Sequence, residues 1–297
     1  MKKKIKQLLS KLIYLLFAFF VVYFLYKFSS EIINNRYYLQ WPSFALSLIA
    51  MMVGYVIYVF ANYIYLVLPE KKISYCLFAK KYLKSSLVRY TPGNVWAFLV
   101  RYKEFKKLGI SSNRIIASII FEMMTMVSVS FIFVVVSQVN YSLALRLGTA
   151  VIIIFVLFLV SDKYLKKISD AVIPKLKMNK IPAVSLGKFL LLFLTYILIW
   201  SFWGLSFWLM IKGFGFSNSY LSATYIFAFS WLIGYLSFIA PSGMGAREGV
   251  MILLLNNMGI NTVFSTTISL YSRLIFALAE IILFGVVNLL SLFKKQS

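Results

Sequence analysis

The chain has 297 residues, of which 62% are hydrophobic and 18% aromatic, and its mean hydropathy is +0.87. Soluble domains are about half apolar, so this composition excludes an ordinary water-soluble globule and predicts a chain solvated by lipid. Thirty-one Lys and Arg against eight Asp and Glu leave a net charge of +23, an excess that belongs either to nucleic-acid binding or to the cytoplasmic loops and anionic headgroups of a membrane protein.

Taken in chain order, a basic start is followed by an apolar run at 11–28 that keeps large residues to Phe28. With no small-residue cleavage site it reads as a retained first span and not as a removed signal peptide. Further runs at 43–68, 114–137, 145–161, 188–211 and 262–293 suit the roughly 17–25 residues that a crossing helix needs. Two more apolar stretches, 73–100 and 219–260, are interrupted by Pro-Gly clusters. Every long segment is apolar, which predicts one membrane domain over 1–297 and no soluble catalytic domain.

The charges are distributed by side. With a cytoplasmic N-terminus, the inward segments 1–11, 69–114, 161–188 and the C-terminal tail hold 25 Lys and Arg, while the outward segments hold only Lys27, Arg36, Arg146 and Lys212. The positive-inside rule then places both termini in the cytoplasm of the inner (plasma) membrane and leaves no call for nucleic acid. Segment 73–100 must return to the inner side, and 219–260 to the outer side. The second could do so as two half-length helices meeting near mid-membrane, or as a full span paired with a broken one. The expected fold class is all-α: a polytopic helix bundle of about six full spans with two broken, re-entrant hairpins opening to opposite sides. Such a pair points to an inverted repeat with a site between the halves; ordinary helix–turn–helix connections at the interface are the alternative.

In the first break, VRYTPGNVWAFLVRYKEF at 88–105, Pro92 removes a backbone donor and Gly93 permits a sharp redirection. Asn94 can cap a helix beginning at Val95, whose free N–H groups would favour an anion. Arg89 precedes the break and Arg101 lies two turns into the new helix, so a phosphate could be held between them; a capped turn with two snorkelling arginines is the plainer account. In the second break, APSGMGAREGV at 240–250, Pro241, Gly243, Gly245 and Gly249 form a loop that lipid-facing helix would not tolerate. Arg247 and Glu248 open a helix expected over 248–258. Charges inside an apolar stretch are costly and suggest function, although an internal ion pair pinning two helices would also suffice.

Three more ionisable residues lie within spans: Glu122, and Arg273 with Glu280, seven residues apart on one face of the last span. The arginines could receive a lipid phosphate, and a glutamate a proton or the ammonium group of a headgroup. A static ion-pair network is the alternative, favoured for Glu122. Trp200, Trp203 and Trp208 read as interfacial anchors. There is no histidine and one cysteine, Cys76, which removes the commonest general base and metal ligand, any internal disulfide and any cysteine-rich metal site. Without a Walker loop or a DxD element, no cofactor, ATP-driven pump or glycosyltransferase is expected.

The pairing of Arg89, Pro92, Gly93, Asn94 and Arg101 with the late element Pro241, Gly243, Gly245, Arg247, Glu248 and Gly249 resembles the transmembrane region of the lysylphosphatidylglycerol synthase family. The resemblance covers nearly the whole chain and implies a lipid-translocase fold. Some members move aminoacylated phosphatidylglycerol, and other relatives are associated with glycan assembly on polyprenyl carriers. Full-length synthases carry a large cytoplasmic aminoacyl-transfer domain after this region, whereas the present sequence stops at Ser297, so no synthase activity is carried over. The expected function is therefore a non-enzymatic translocase of a phosphate-bearing lipid, with membrane lipids and envelope-biosynthesis enzymes as partners. The rivals are a scaffold for an envelope or polysaccharide complex, and a membrane-face enzyme using Glu248 as acid and base.

Overall fold

The computed structural model describes residues 40–66, 73–90, 95–137, 185–237 and 245–293, together with Ser142 and Thr149. Among them are eight α-helices and a single 3-10 turn, with no strand: α1 (Trp41–Leu66), α2 (Tyr75–Leu87) running into the turn Val88–Tyr90, α3 (Val95–Lys106), α4 (Ser112–Val136), α5 (Leu186–Gly213), α6 (Tyr220–Leu236), α7 (Ala246–Asn257) and α8 (Thr262–Phe293). Four of these, α1, α4, α5 and α8, are long and apolar enough to cross a membrane. The all-α membrane bundle is thus present, and four expected spans appear with their ends displaced by two residues or fewer. The expected spans 11–28 and 145–161, and both termini, lie outside the described residues.

Polar caps set several of these boundaries. Ser185 Oγ accepts the Lys188 N–H at the start of α5, Ser219 Oγ accepts the Ser222 N–H at the start of α6, and Asn261 Oδ1 accepts the Phe264 N–H in the first turn of α8. Each satisfies a donor that the first helical turn leaves open.

The interrupted stretches fold differently from the spans. Helices α2, α3 and α7 have 13, 12 and 12 residues, and α6 has 17. At ~1.5 Å per residue none reaches across a ~30 Å hydrocarbon core. α2 packs on α3 and α6 on α7, so each stretch is a helix–break–helix hairpin, and α2 and α7 also pack on α8. The expected helix 248–258 begins two residues earlier, at Ala246, because Gly245 adopts φ 88° and turns the chain into the first helical turn.

The core lies where α5 packs on α1 and α6. Close approach is made possible by missing side chains, as is common between membrane helices. A Cβ at Gly54 would fall 2.6 Å from Trp203 Cδ1, and one at Gly204 would fall 2.3 Å from Thr224 Oγ1. Trp200 and Trp203 are therefore not interfacial anchors: at 0% and 1% exposure they fill the centre of the bundle. Only Trp208 keeps the partly exposed, polar-tipped setting of an anchor, donating its Nε1–H to the Asn218 carbonyl and carrying the Lys212 ammonium over its ring. Leu46, Ile49, Val53, Val56 and Phe60 form an exposed stripe along α1, the face that lipid would cover.

Candidate functional site

The first hairpin supplies two arginines with different surroundings. Arg89, in the 3-10 turn that ends α2, donates through Nε to the Ser86 carbonyl at 3.0 Å and pairs through Nη2 with Glu280 Oε1 of α8 at 3.2 Å. Its side chain remains 28% exposed. Arg101, on α3, is 2% exposed. Its Nη1 bonds both oxygens of Glu122, at 2.9 and 2.7 Å, its Nε donates to Ser85 Oγ, and its guanidinium lies 4.0 Å from the centroid of the Tyr82 ring. Arg89 and Arg101 thus answer different carboxylates, Glu280 on α8 and Glu122 on α4, and the Arg101 pair is the more deeply buried of the two. Pro92, Gly93 and Asn94 lie outside the described residues.

The arms of this hairpin are tied at their far end by Glu104, whose carboxylate accepts hydrogen bonds from Lys81 at 2.6 Å, Lys84 at 3.1 Å and Lys107 at 3.2 Å. These bonds, that from Lys81 foremost, outweigh burial and hold its carboxyl down to about 2.

In the second hairpin, neighbouring charges part company. Glu248 reaches back to accept the Gly245 N–H at 2.7 Å, which caps α7, and its other oxygen pairs with Arg273 Nε of α8. Arg247 turns the other way, into the protein, at 9% exposure. Its guanidinium lies 5.0 Å from the Phe227 centroid and 5.9 Å from that of Phe276. Gly234 of α6 makes room for it, since a Cβ there would meet Arg247 Cβ at 2.7 Å. Arg247 and Glu248 are thus not an ion pair with each other. Pro241 and Gly243 lie outside the described residues.

Both hairpins end on α8. Arg273, Phe276 and Glu280 are spaced three and four apart and so share one face. Arg273 receives Glu248, Glu280 receives Arg89, and the Phe276 ring between them receives both Arg89 and Arg247, each 5.9 Å from its centroid. Arg273 and Glu280 thus do share a face, yet each pairs with a hairpin and not with the other.

Two residues absent from the sequence expectations complete the arrangement. Tyr55 and Tyr58, one turn apart on α1, donate their phenols to Glu280 Oε1 and Glu122 Oε1 respectively. Two triads result, Tyr55–Glu280–Arg89 and Tyr58–Glu122–Arg101, each joining α1, one arm of the first hairpin and a span. The signal was present in the sequence: Tyr55, Tyr58, Asn62 and Tyr65 form a polar-tipped stripe at helical spacing on an otherwise apolar span. Buried ion pairs of this kind contribute little net stability but are expensive to break singly, at about 3–5 kcal/mol.

The sequence itself supplies a family match. Residues 7–283 match the family model described as the lysylphosphatidylglycerol synthase TM region. The chain belongs to this family. The match includes both hairpins and extends past Glu280, so every residue of the two triads lies within the lysylphosphatidylglycerol synthase TM region. A comparison with individual curated proteins gives no match. Membership makes this a multi-pass membrane protein linked to lipid handling.

Proposed function

We propose that the chain is a translocase for a phosphate-bearing lipid, either a phospholipid, an aminoacyl-phosphatidylglycerol or a polyprenyl-phosphate-linked sugar, and that it works without chemical conversion of its substrate. The observation that carries the reading is the meeting of Arg89 and Arg247, from two separate broken hairpins, on the Phe276 ring near the middle of α8. Intramembrane charges on interrupted helices mark substrate paths in transporters. Guanidinium groups suit phosphate because their donors match its oxygens in pairs. In this reading Arg89 and Arg247 receive the phosphate, Arg273 and Glu248 set the position of the second hairpin, and the protein lies in the plasma membrane with both termini cytoplasmic. Lipids with anionic headgroups are its partners, with envelope-biosynthesis enzymes as neighbours.

The test is reconstitution in liposomes carrying fluorescent phosphatidylglycerol, with quenching of the outer leaflet and mass analysis of the lipid. The expected outcome is movement of an unaltered lipid, slowed at least about tenfold in Arg89→Gln and Arg247→Gln variants that remain folded, a loss of about 1.4 kcal/mol or more in barrier terms. A chemically altered lipid would make the protein an enzyme. Neither movement nor alteration would leave the scaffold role.

A further inference from the structure

The two triads have the same parts and differ in one respect. In Tyr58–Glu122–Arg101, both carboxylate oxygens are occupied, and Arg101 and Glu122 are 3% and 7% exposed at their side chains. In Tyr55–Glu280–Arg89, Oε1 takes both the phenol and the guanidinium. Oε2 of Glu280 is buried and has no hydrogen-bond partner among the described residues. Glu280 is itself 0% exposed, while the Arg89 that neutralises it is partly open.

From this asymmetry, and resting on the lipid-phosphate reading above, we infer that Glu280 is a proton-binding site linked to the lipid: a phosphate arriving at Arg89 displaces Glu280, and a proton bound at Oε2 takes the place of the lost cation. The balance is simple. Glu280 passes from one negative charge to none, the phosphodiester brings one, and the proton comes from water on the exposed flank of Arg89. The charge of the buried cluster is unchanged, so neither an uncompensated carboxylate nor an unpaired phosphate is left in low-dielectric surroundings. Lipid and proton enter as an electroneutral pair, and each favours the binding of the other.

Among the described residues, few other groups face Glu280. α1 presents Tyr55; the turn after α2 presents Arg89; α5 presents Trp203, which does not titrate, against Phe276. α7 presents Glu248 and Arg247, engaged with Arg273 and with the rings of Phe227 and Phe276. On α2, Cys76 and Lys80 meet α8 farther along, at Val287 and Ser291. The charge of Glu122 is answered by Arg101.

The experiment uses the purified full-length protein and fluorescent phosphatidylglycerol, whose phosphodiester stays ionised throughout. In weakly buffered detergent solution, binding by the unaltered protein should take up close to one proton per lipid. Affinity should rise as the pH falls, by up to about tenfold per unit. Glu280→Gln, checked for folding by thermal unfolding, should bind with no pH dependence and no proton uptake, while Glu122→Gln should keep both. Lipid binding by the unaltered protein without proton uptake overturns the coupling and leaves the lipid site standing. No lipid binding at any pH overturns the lipid site and the coupling together. Because proton uptake is read on the unaltered protein, a Glu280→Gln variant that fails to fold does not remove the test.

Discussion

Arg89 and Arg247 come from different hairpins and place their guanidinium groups at the same distance, 5.9 Å, from the Phe276 ring. The same ring packs edge-on against Tyr55 at 5.1 Å and Trp203 at 5.3 Å between centroids. Phe276 thus holds the two arginines in register with the core, and its replacement separates packing from charge placement. Phe276→Leu keeps most of the volume and should cost about 1 kcal/mol in unfolding measurements. It should slow lipid movement by more than that loss accounts for, because the aromatic face that holds both cations is gone.

Arg101 and Glu122 provide the contrasting case. Arg101→Gln leaves a buried carboxylate without its cation and should destabilise the protein by about 3–5 kcal/mol. The double variant Arg101→Met with Glu122→Leu should recover most of that loss. A double-mutant cycle on chemical unfolding measures the coupling, and activity per folded molecule in the double variant should stay within a few-fold of the parent.

Three glycines of the second hairpin should differ sharply in what they tolerate. At Gly234 a Cβ would meet Arg247 Cβ at 2.7 Å, so Gly234→Ala must push α7 away from α6 and should cost about 1–3 kcal/mol. Gly249 lies inside α7 with nothing within 4 Å of its missing Cβ, and Gly249→Ala should stabilise the helix by up to about 1 kcal/mol. Gly245 has equal room but φ 88°, so Gly245→Ala should destabilise by about 1–2 kcal/mol through backbone strain alone. Thermal unfolding of the three variants orders them.

Acid should loosen the first hairpin at its lysine-rich end. The Glu104 carboxyl is held at about 2 against an ordinary 4.5. Its contribution to stability is therefore complete above about pH 4.5 and is lost as the pH falls toward 2. Glu104→Gln should lower stability by about 1 kcal/mol near neutrality, a modest figure because its partners Lys84 and Lys107 are themselves exposed to water. The gap between variant and parent should close through that acid window, as thermal unfolding against pH would record.

Much of the architecture could be read before any coordinates. Apolar runs of crossing length marked α1, α4, α5 and α8, because burial in lipid demands unbroken helix. Pro-Gly clusters marked the places where helices had to stop. The partners of each charge could not be read in the same way. Arg247 and Glu248 are adjacent in sequence yet point to Phe227 on α6 and Arg273 on α8 respectively, since successive residues on a helix lie about 100° apart and α7 packs against both neighbours. Arg101 and Arg89 looked equivalent on either side of Pro92-Gly93; only the packing of α3 near α4 gives Arg101 to Glu122. Trp200 and Trp203 looked like anchors because tryptophan favours interfaces, and what overrode that preference was the notch at Gly54 and the central position of α5.

The spacing of Tyr55 and Tyr58 has a mechanical corollary. One phenol serves Glu280 on α8 and the other serves Glu122 on α4, and both are fixed to the same turn of α1. A small rotation of α1 about its own axis would therefore reset hydrogen bonding at two carboxylates on two separate helices in a single stroke. Two carboxylates on two separate helices thus depend on one turn of a helix that carries no charge of its own.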